Sequence, residues 1–147
     1  MTENAVIMGI DPGVKTGIAL YQGGKLCELR TIAPVDYERV LLDIQPVLVV
    51  VEDSRPIKAL FTGIRLSHKA QVKVARNVGA IDCLCSIIFA LCARHEIEIE
   101  ALSPKEKGPK LDAVTFCRKT GYTGKSNEHG RDAGMVAWRF RHRRAKG

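Results

Sequence analysis

The feature that most constrains the fold is the stretch from Val6 to Leu20, VIMGIDPGVKTGIAL. Its first five residues are apolar, rich in β-branched side chains and too few for a free-standing helix, which predicts a strand buried on both faces. The run stops at Asp11, Pro12-Gly13 then favours a tight turn, and Ile18-Ala19-Leu20 predicts a returning second strand. Such an arrangement would hold the Asp11 carboxylate rigidly at the rim of a sheet. The alternative is a turn-forming aspartate without chemistry.

A second apolar run also ends in acids. Residues 47–51 predict a buried strand that is followed by Glu52 and Asp53. A helical pattern over residues 36–45 precedes it, so we expect this strand to pair parallel with the first through a crossover. Ligands of such sheets bind outside the carboxyl ends of the strands. Asp11 and Glu52 are therefore candidate site residues, and Asp53, which faces the opposite side of its strand, is the competitor of Glu52.

A predicted terminal helix, residues 127–141, supplies a third group. His129 and Asp132 are spaced i, i+3 and share a helical face, and Glu128 lies four residues before Asp132. Carboxylate oxygens suit Mg²⁺ or Mn²⁺, so these acids and the histidine predict a two-metal site for phosphodiester cleavage. The alternatives are a first-turn acid favoured by the helix dipole for Asp132 and a solvated histidine for His129.

The remaining pattern completes one mixed sheet with helices packed on it. We expect a β-hairpin over residues 20–32, a long helix over 67–94 whose half from 79 to 93 lies in the core, a strand over 97–102, a Lys-rich loop over 103–110 and a helix over 111–120. The chain of 147 residues predicts a single domain, 1–147. We expect Trp138 in the core.

Composition indicates where such a chain works. Five cysteines without scaffold spacing predict reduced thiols in the cytoplasm. The first residues lack the basic and apolar regions of a signal peptide. We expect no membrane partner, because no apolar run approaches the ~20 residues of a membrane span.

The charge distribution indicates a polyanionic partner. The net charge is +7, and no acid occurs between Ser54 and Ile81. This acid-free segment carries the candidate DNA-binding cations Arg55, Lys58, Arg65, Lys69, Lys73 and Arg76. Lys69, Lys73 and Arg76 share one face of the long helix. The segregation predicts a basic face for nucleic-acid phosphates, and the alternative is a solvated surface with a basic tail.

Three motifs together resemble a known family. GIDPGVKTGIAL, VVVED and NEHGRDAGMVAW, in this order and spacing, resemble the RuvC-like Holliday junction resolvases of the ribonuclease H-like superfamily, over nearly the whole chain. The resemblance implies an α/β fold, a mixed five-stranded sheet with helices on both faces. It matches Asp11, Glu52, His129 and Asp132 to catalytic metal ligands. It implies a Mg²⁺- or Mn²⁺-dependent nuclease, with two ions per site, that nicks four-way DNA junctions symmetrically as a homodimer.

The chain also departs from the family. It is short and resembles the compact phage or prophage members, so we expect it in a bacterial or phage-infected cell. Lys105, Lys107 and Lys110 are approximate matches to DNA-contacting lysines, and Phe61 to the aromatic residue that probes the junction centre. The alternatives are another ribonuclease H-like nuclease, acting on RNA–DNA hybrid or flap DNA, and a non-catalytic junction-binding module.

Overall fold

The computed structural model describes residues 5–56 and 67–144, which are arranged around a five-stranded mixed sheet. The strands are β1 (Val6–Asp11), β2 (Thr16–Gln22), β3 (Lys25–Ile32), β4 (Leu48–Glu52) and β5 (Ile99–Leu102). The helices are α1 (Tyr37–Ile44), α2 (His68–Arg94), α3 (Pro104–Lys107), α4 (Ala113–Thr120) and α5 (Glu128–Ala137). Two 3₁₀ turns, Pro34–Asp36 and Trp138–Phe140, complete the elements of this described part of the chain.

The strand order β3-β2-β1-β4-β5 places β1 at the centre of the sheet. β1 pairs antiparallel with β2 and parallel with β4, and β4 pairs parallel with β5. In the β1–β4 register, Ile10 lies opposite Val51. Asp11 and Glu52, the next residues along, therefore reach the same edge of the sheet on neighbouring strands. The predicted hairpins, the crossover and the mixed sheet are confirmed.

Each face of the sheet is covered by its own hydrophobic cluster. On one face, Tyr21 and Ile7 pack with Phe116 of α4 and Val136 of α5. On the other face, the side chains of β1 and β4 pack with Tyr37, Val40 and Leu41 of α1 and with Ile88 and Cys92 of α2. This alternation follows from the strand period of two, which sends successive apolar residues to opposite faces. Helices on both faces, the arrangement expected from the sequence, are confirmed.

The long helix α2 is less buried than expected. Only Cys85, Ile88 and Cys92 are buried among its 27 residues, so the expectation that residues 79–93 form core was wrong in extent. The reason is geometric. A helix of this length spans about 40 Å, whereas strands of five residues span about 17 Å. The amino-terminal turns of α2 therefore extend beyond the sheet.

The long helix α2 also has the length and apolar composition of a membrane span. By length and composition it is the one helix of the described residues that could cross a membrane, and only 11% of its most apolar stretch is buried. This was not expected from the sequence, because Arg76 and Asp82 interrupt the apolar residues. The criterion is weak, since the helices of soluble proteins also satisfy it.

Smaller differences occur toward the carboxyl end. The terminal helix ends at Ala137 and continues as a 3₁₀ turn, four residues before the expected end. Trp138 is only partly buried and packs against the core from outside. The Lys-rich loop over residues 103–110 contains the four-residue helix α3. All five cysteines are free thiols, as predicted.

Candidate active site

A cavity of about 650 Å³ opens at the carboxyl ends of β1 and β4. The four predicted site residues line it from three elements: Asp11 from β1, Glu52 from β4, and His129 and Asp132 from α5. The other lining residues are Pro12, Gly13, Val14, Lys15, Ser54, Ile81, Lys107 and Lys110. The structure thus brings together Asp11 and Asp132, which are 121 positions apart in the sequence.

The turn that carries Asp11 is closed by a buried hydroxyl group. Thr16 is fully buried, and its hydroxyl donates to the Gly13 carbonyl at 2.6 Å. The Gly13 amide donates back to Thr16 Oγ1 at 3.3 Å, and the Tyr37 hydroxyl hydrogen bonds to the same oxygen. These bonds tie the turn to α1 on one side of the sheet. The turn after Asp11 is therefore fixed.

The position of α5 is set at its amino terminus and by one glycine of the sheet. Asn127 caps the helix by accepting from the Gly130 amide at 2.8 Å, and its side-chain amide donates to Thr31 on β3 at 2.8 Å. A Cβ atom on Gly17 of β2 would lie 1.9 Å from the carbonyl oxygen of His129. Only glycine lets the helix approach the sheet this closely. Asp132 thereby comes to lie beside the ends of β1 and β4.

The acidic side chains of the cavity repel one another. Burial, then a hydrogen bond to Glu52 and the charge of Glu52, raise the pKa of Asp11 to about 8. The ammonium group of Lys107 acts in the opposite direction. The acidic side of the cavity therefore needs a positive charge to stabilise the ionised form of Asp11.

Two lysines supply that positive charge. Lys107 Nζ lies 3.2 Å from Glu52 Oε2 and 3.7 Å from Asp132 Oδ1, and the Lys107 side chain is 8% exposed. Lys110 Nζ lies 3.2 Å from Asp132 Oδ2, which raises the pKa of Lys110. Lys107 therefore bridges two of the predicted metal ligands.

The predicted metal ligands are not gathered around a common point. Within residues 5–56 and 67–144, no three His, Cys, Asp or Glu side chains form a group that could hold a metal ion. Instead, the Lys107 ammonium lies within 4 Å of a carboxylate oxygen of Glu52 and of one of Asp132.

Asp53, the competitor of Glu52, faces another environment. It is 7% exposed and pairs with Arg55, whose Nη2 lies 2.8 Å from Asp53 Oδ2. This pairing lowers the pKa of Asp53. Arg55 also donates to Ser86 at 3.2 Å and lies over the ring of Phe89 at 4.8 Å. Arg55, a predicted DNA contact, thus fastens the end of β4 to α2.

The two candidate side chains at the start of α5 differ in exposure. The side chain of His129 is 33% exposed and lines the cavity, whereas that of Glu128 is 62% exposed. His129 Nε2 lies 3.8 Å from Glu128 Oε1. Of the two, His129 is the residue that lines the cavity.

The remaining predicted DNA contacts are spread over several places. Lys69, Lys73 and Arg76 are exposed on the amino-terminal turns of α2, which extend beyond the sheet. Lys105 is exposed on α3. Lys58, Phe61 and Arg65 lie outside the described residues. Sequence reasoning missed Lys15, which lines the cavity from the turn after β1. Its position four residues after Asp11 was the available signal.

Comparison with solved structures finds the same fold elsewhere. The structure titled "T. thermophilus RuvC in complex with Holliday junction substrate" aligns with a TM-score of 0.57 and 17% identity, over 91% of this chain and 90% of that chain. The Thermus thermophilus RuvC structure aligns with a TM-score of 0.56 and 17% identity, over 90% and 91%. Neither a protein-family model nor a curated protein matches the sequence. At this identity the likeness shows the fold alone: the chain has the same fold as these RuvC structures.

Proposed function

We propose that this protein is a divalent-metal-dependent endonuclease that nicks four-way DNA junctions. The observation that carries the proposal is the convergence of Asp11, Glu52 and Asp132, from three separate elements, on one open cavity flanked by lysines. The fold supports the choice of branched DNA, because one similar structure is that of T. thermophilus RuvC in complex with Holliday junction substrate. The compact phage or prophage type stays a prediction.

The donor set fits Mg²⁺ or Mn²⁺ by its chemistry. It consists of carboxylate oxygens, which suit these ions. Burial, the hydrogen bond to Glu52 and the charge of Glu52 raise the pKa of Asp11, and a cation bound beside it would favour the ionised carboxylate. Asp11, Glu52 and Asp132 would hold two ions, with His129 as a further ligand. Bound there, such ions activate a water molecule and stabilise the leaving oxygen of a phosphodiester.

The chain itself would bind and orient the substrate. Lys15 and Lys110 lie at the cavity with the positive charge that a DNA phosphate needs. His129, one-third exposed, can exchange a proton with the substrate or with water. Thr16 and Asn127 hold the turn after Asp11 and the start of α5 in place, so that the acids do not move away under mutual repulsion.

We further propose that the active form is a homodimer that acts in the cytoplasm. Val72 and Ile87 of α2 are 37% and 42% exposed, and a second copy packing on this helix would bury them. Symmetric nicking of a junction needs two sites in fixed relation. Five free thiols suit a reducing compartment.

The proposal is tested with a panel of synthetic substrates: a four-way junction, a duplex, a flap and an RNA–DNA hybrid, each in Mg²⁺ and in Mn²⁺. We expect nicking of the junction, its loss in EDTA, and a fall of at least about 10³-fold for Asp11→Asn and for Glu52→Gln. Junction binding should stay level or rise, because removing a carboxylate lessens the repulsion of phosphates.

Asp43→Asn is the matched control, because it removes an exposed carboxylate on α1, far from the cavity. It should cut at the wild-type rate. Preferential cutting of the hybrid or the flap would favour another ribonuclease H-like nuclease. Tight junction binding without cutting in either metal would favour a binding module.

A further inference from the structure

We propose that Lys107 is a built-in counter-ion of the carboxylate site, whose ammonium group holds Glu52 and Asp132 in the metal-free protein and must leave before a divalent cation binds. Lys107 would thereby set the affinity of the site for metal, a role different from contacting DNA. The inference rests on the proposed function in one respect, namely that these carboxylates are the metal ligands.

The placement of the ammonium group is the first support. Lys107 Nζ is within 4 Å of carboxylate oxygens from two different elements, Glu52 on β4 and Asp132 on α5. The side chains are only 8%, 15% and 8% exposed, respectively, so water screens their charges weakly. A cation in this position neutralises the same oxygens that a metal ion would need.

The hydrogen bonds that shape the backbone around Lys107 do not involve the acids of the site. α3 begins with a capping box, in which Ser103 accepts from the Glu106 amide at 3.3 Å and Glu106 accepts from the Ser103 amide at 3.2 Å. Arg139 donates to Glu106 at 3.2 Å and ties this helix to the end of the chain. Gly108, with a φ of 85°, then ends the helix directly after Lys107. The fold therefore places the lysine at the site without any metal.

The side chain can nevertheless leave. Its ammonium is a compact charge on a flexible four-carbon stem, and the open cavity of about 650 Å³, which Lys107 lines, offers space for it. The acids, by contrast, sit on two interior strands and on a capped helix. Exchange of one cation for another therefore moves Lys107 and leaves the carboxylates in place.

Lys110 does not share this role. Its side chain is 69% exposed and pairs with Asp132, so water already screens much of its charge. Lys105 is on the same short helix as Lys107 but is exposed to solvent. These two lysines allow the effect of position to be separated from the effect of net charge.

The experiment measures Mn²⁺ binding to the DNA-free protein by electron paramagnetic resonance titration, with the metal-induced rise in unfolding temperature as a second readout. We expect Lys107→Met to bind Mn²⁺ about tenfold or more tightly than wild type, because a competing charge close to the carboxylates is removed. Its unfolding temperature should rise more on Mn²⁺ addition than that of wild type. Lys107→Gln serves as a second variant if the methionine protein is poorly folded.

Two controls define the outcome. Lys107→Arg keeps the charge and should bind Mn²⁺ as weakly as wild type, and Lys105→Met changes the net charge equally but should leave the affinity unchanged. Unchanged or weaker Mn²⁺ binding by both Lys107→Met and Lys107→Gln would overturn the inference. An equal gain in Lys105→Met would overturn it as well, since net charge alone would then explain the effect.

Failure of the inference can be told from failure of the proposed function with Asp11→Asn. If Asp11→Asn weakens Mn²⁺ binding of wild type and Lys107→Met gains nothing, the metal site stands and the counter-ion role is wrong. If Asp11→Asn leaves Mn²⁺ binding unchanged in both the wild-type and the Lys107→Met background, the acids are not metal ligands and both proposals fail.

Discussion

At the residue scale, Asp11 shows how a fold can force a charge into an unfavourable place. The carboxyl group terminates a strand that the apolar sequence buries, and the parallel register puts Glu52 beside it. Burial and this neighbour together raise the pKa of Asp11 to about 8 from 3.8. The cost of this arrangement appears in the stability of the metal-free protein.

We predict that the free energy of unfolding in EDTA falls as the pH rises from about 4 to about 8. In this window the folded protein keeps a proton on Asp11 that the unfolded chain releases, so a higher pH favours unfolding. Asp11→Asn removes this effect and should be more stable than wild type near pH 8 by about 1–3 kcal/mol, equal to roughly one or two pKa units. Urea denaturation at several pH values measures it. Equal pH slopes for wild type and Asp11→Asn would contradict the prediction.

A second prediction at this scale concerns His129 and Glu128. Because His129 lines the cavity and Glu128 is mostly exposed, we expect His129→Ala to slow single-turnover nicking of a junction about 10²-fold or more. Glu128→Gln should stay within about threefold of wild type, since a 62% exposed carboxylate is well screened. The reverse order of effects would assign the role to Glu128.

At the scale of elements, the site depends on how closely α5 approaches the sheet. Gly17 and Gly9 leave room for the helix backbone: a Cβ atom on them would lie 1.9 Å from the His129 oxygen and 2.3 Å from the Ala133 oxygen. Tyr21 donates to the Gly134 carbonyl at 2.7 Å and fastens the same helix. Strand and helix therefore position Asp132 through backbone contacts, which tolerate little change.

We predict that Gly17→Ala destabilises the protein by about 2–4 kcal/mol, because the nearest atom is backbone and cannot move aside. The matched control is Gly79→Ala on α2, where no atom of the described residues, apart from the neighbouring backbone of the helix itself, lies within 4 Å of the added Cβ atom. That substitution should stabilise the protein by about 0.5–1 kcal/mol through helix propensity. Denaturant unfolding distinguishes the two. A neutral Gly17→Ala would show that α5 can shift without loss.

The amino-terminal turns of α2, which extend beyond the sheet, carry three exposed cations. If Lys69, Lys73 and Arg76 bind phosphates, replacing all three by Ala should weaken binding of any DNA sequence. The slope of log K against log salt should flatten by ~0.9 for each phosphate on a duplex arm that is no longer neutralised. Lys25→Ala should leave the slope unchanged, because Lys25 lies opposite Gln22, which pairs with Val6 at the end of β1 away from Asp11 and the cavity. An unchanged slope in the triple variant would assign these cations to a solvated surface.

For the molecule as a whole, the sequence predicted the features that depend on strand periodicity and on turn-forming residues. The buried runs that end at Asp11 and Glu52, and the crossover between them, follow from apolar pattern and turn residues alone. The exposure of α2 did not follow, because an apolar pattern tells which residues avoid water but not which element covers them. Nor did the position of Lys107, since it lies on α3, a short helix with a capping box inside a segment that was expected to be a loop.

The central position of β1 has a consequence for how the molecule opens. β1 and β4 each have a strand on both sides, so their backbone amides are released only when the sheet comes apart. The four residues of α3 include none that is buried. Amide hydrogen exchange should therefore be slowest at Ile10 and Val51, with protection equal to the global stability, and fast across Lys105 and Lys107. Asp11 and Glu52 would then lie in the part of the protein that exchanges most slowly. Lys107, which lies beside Glu52, would belong to a segment that unfolds locally without the sheet.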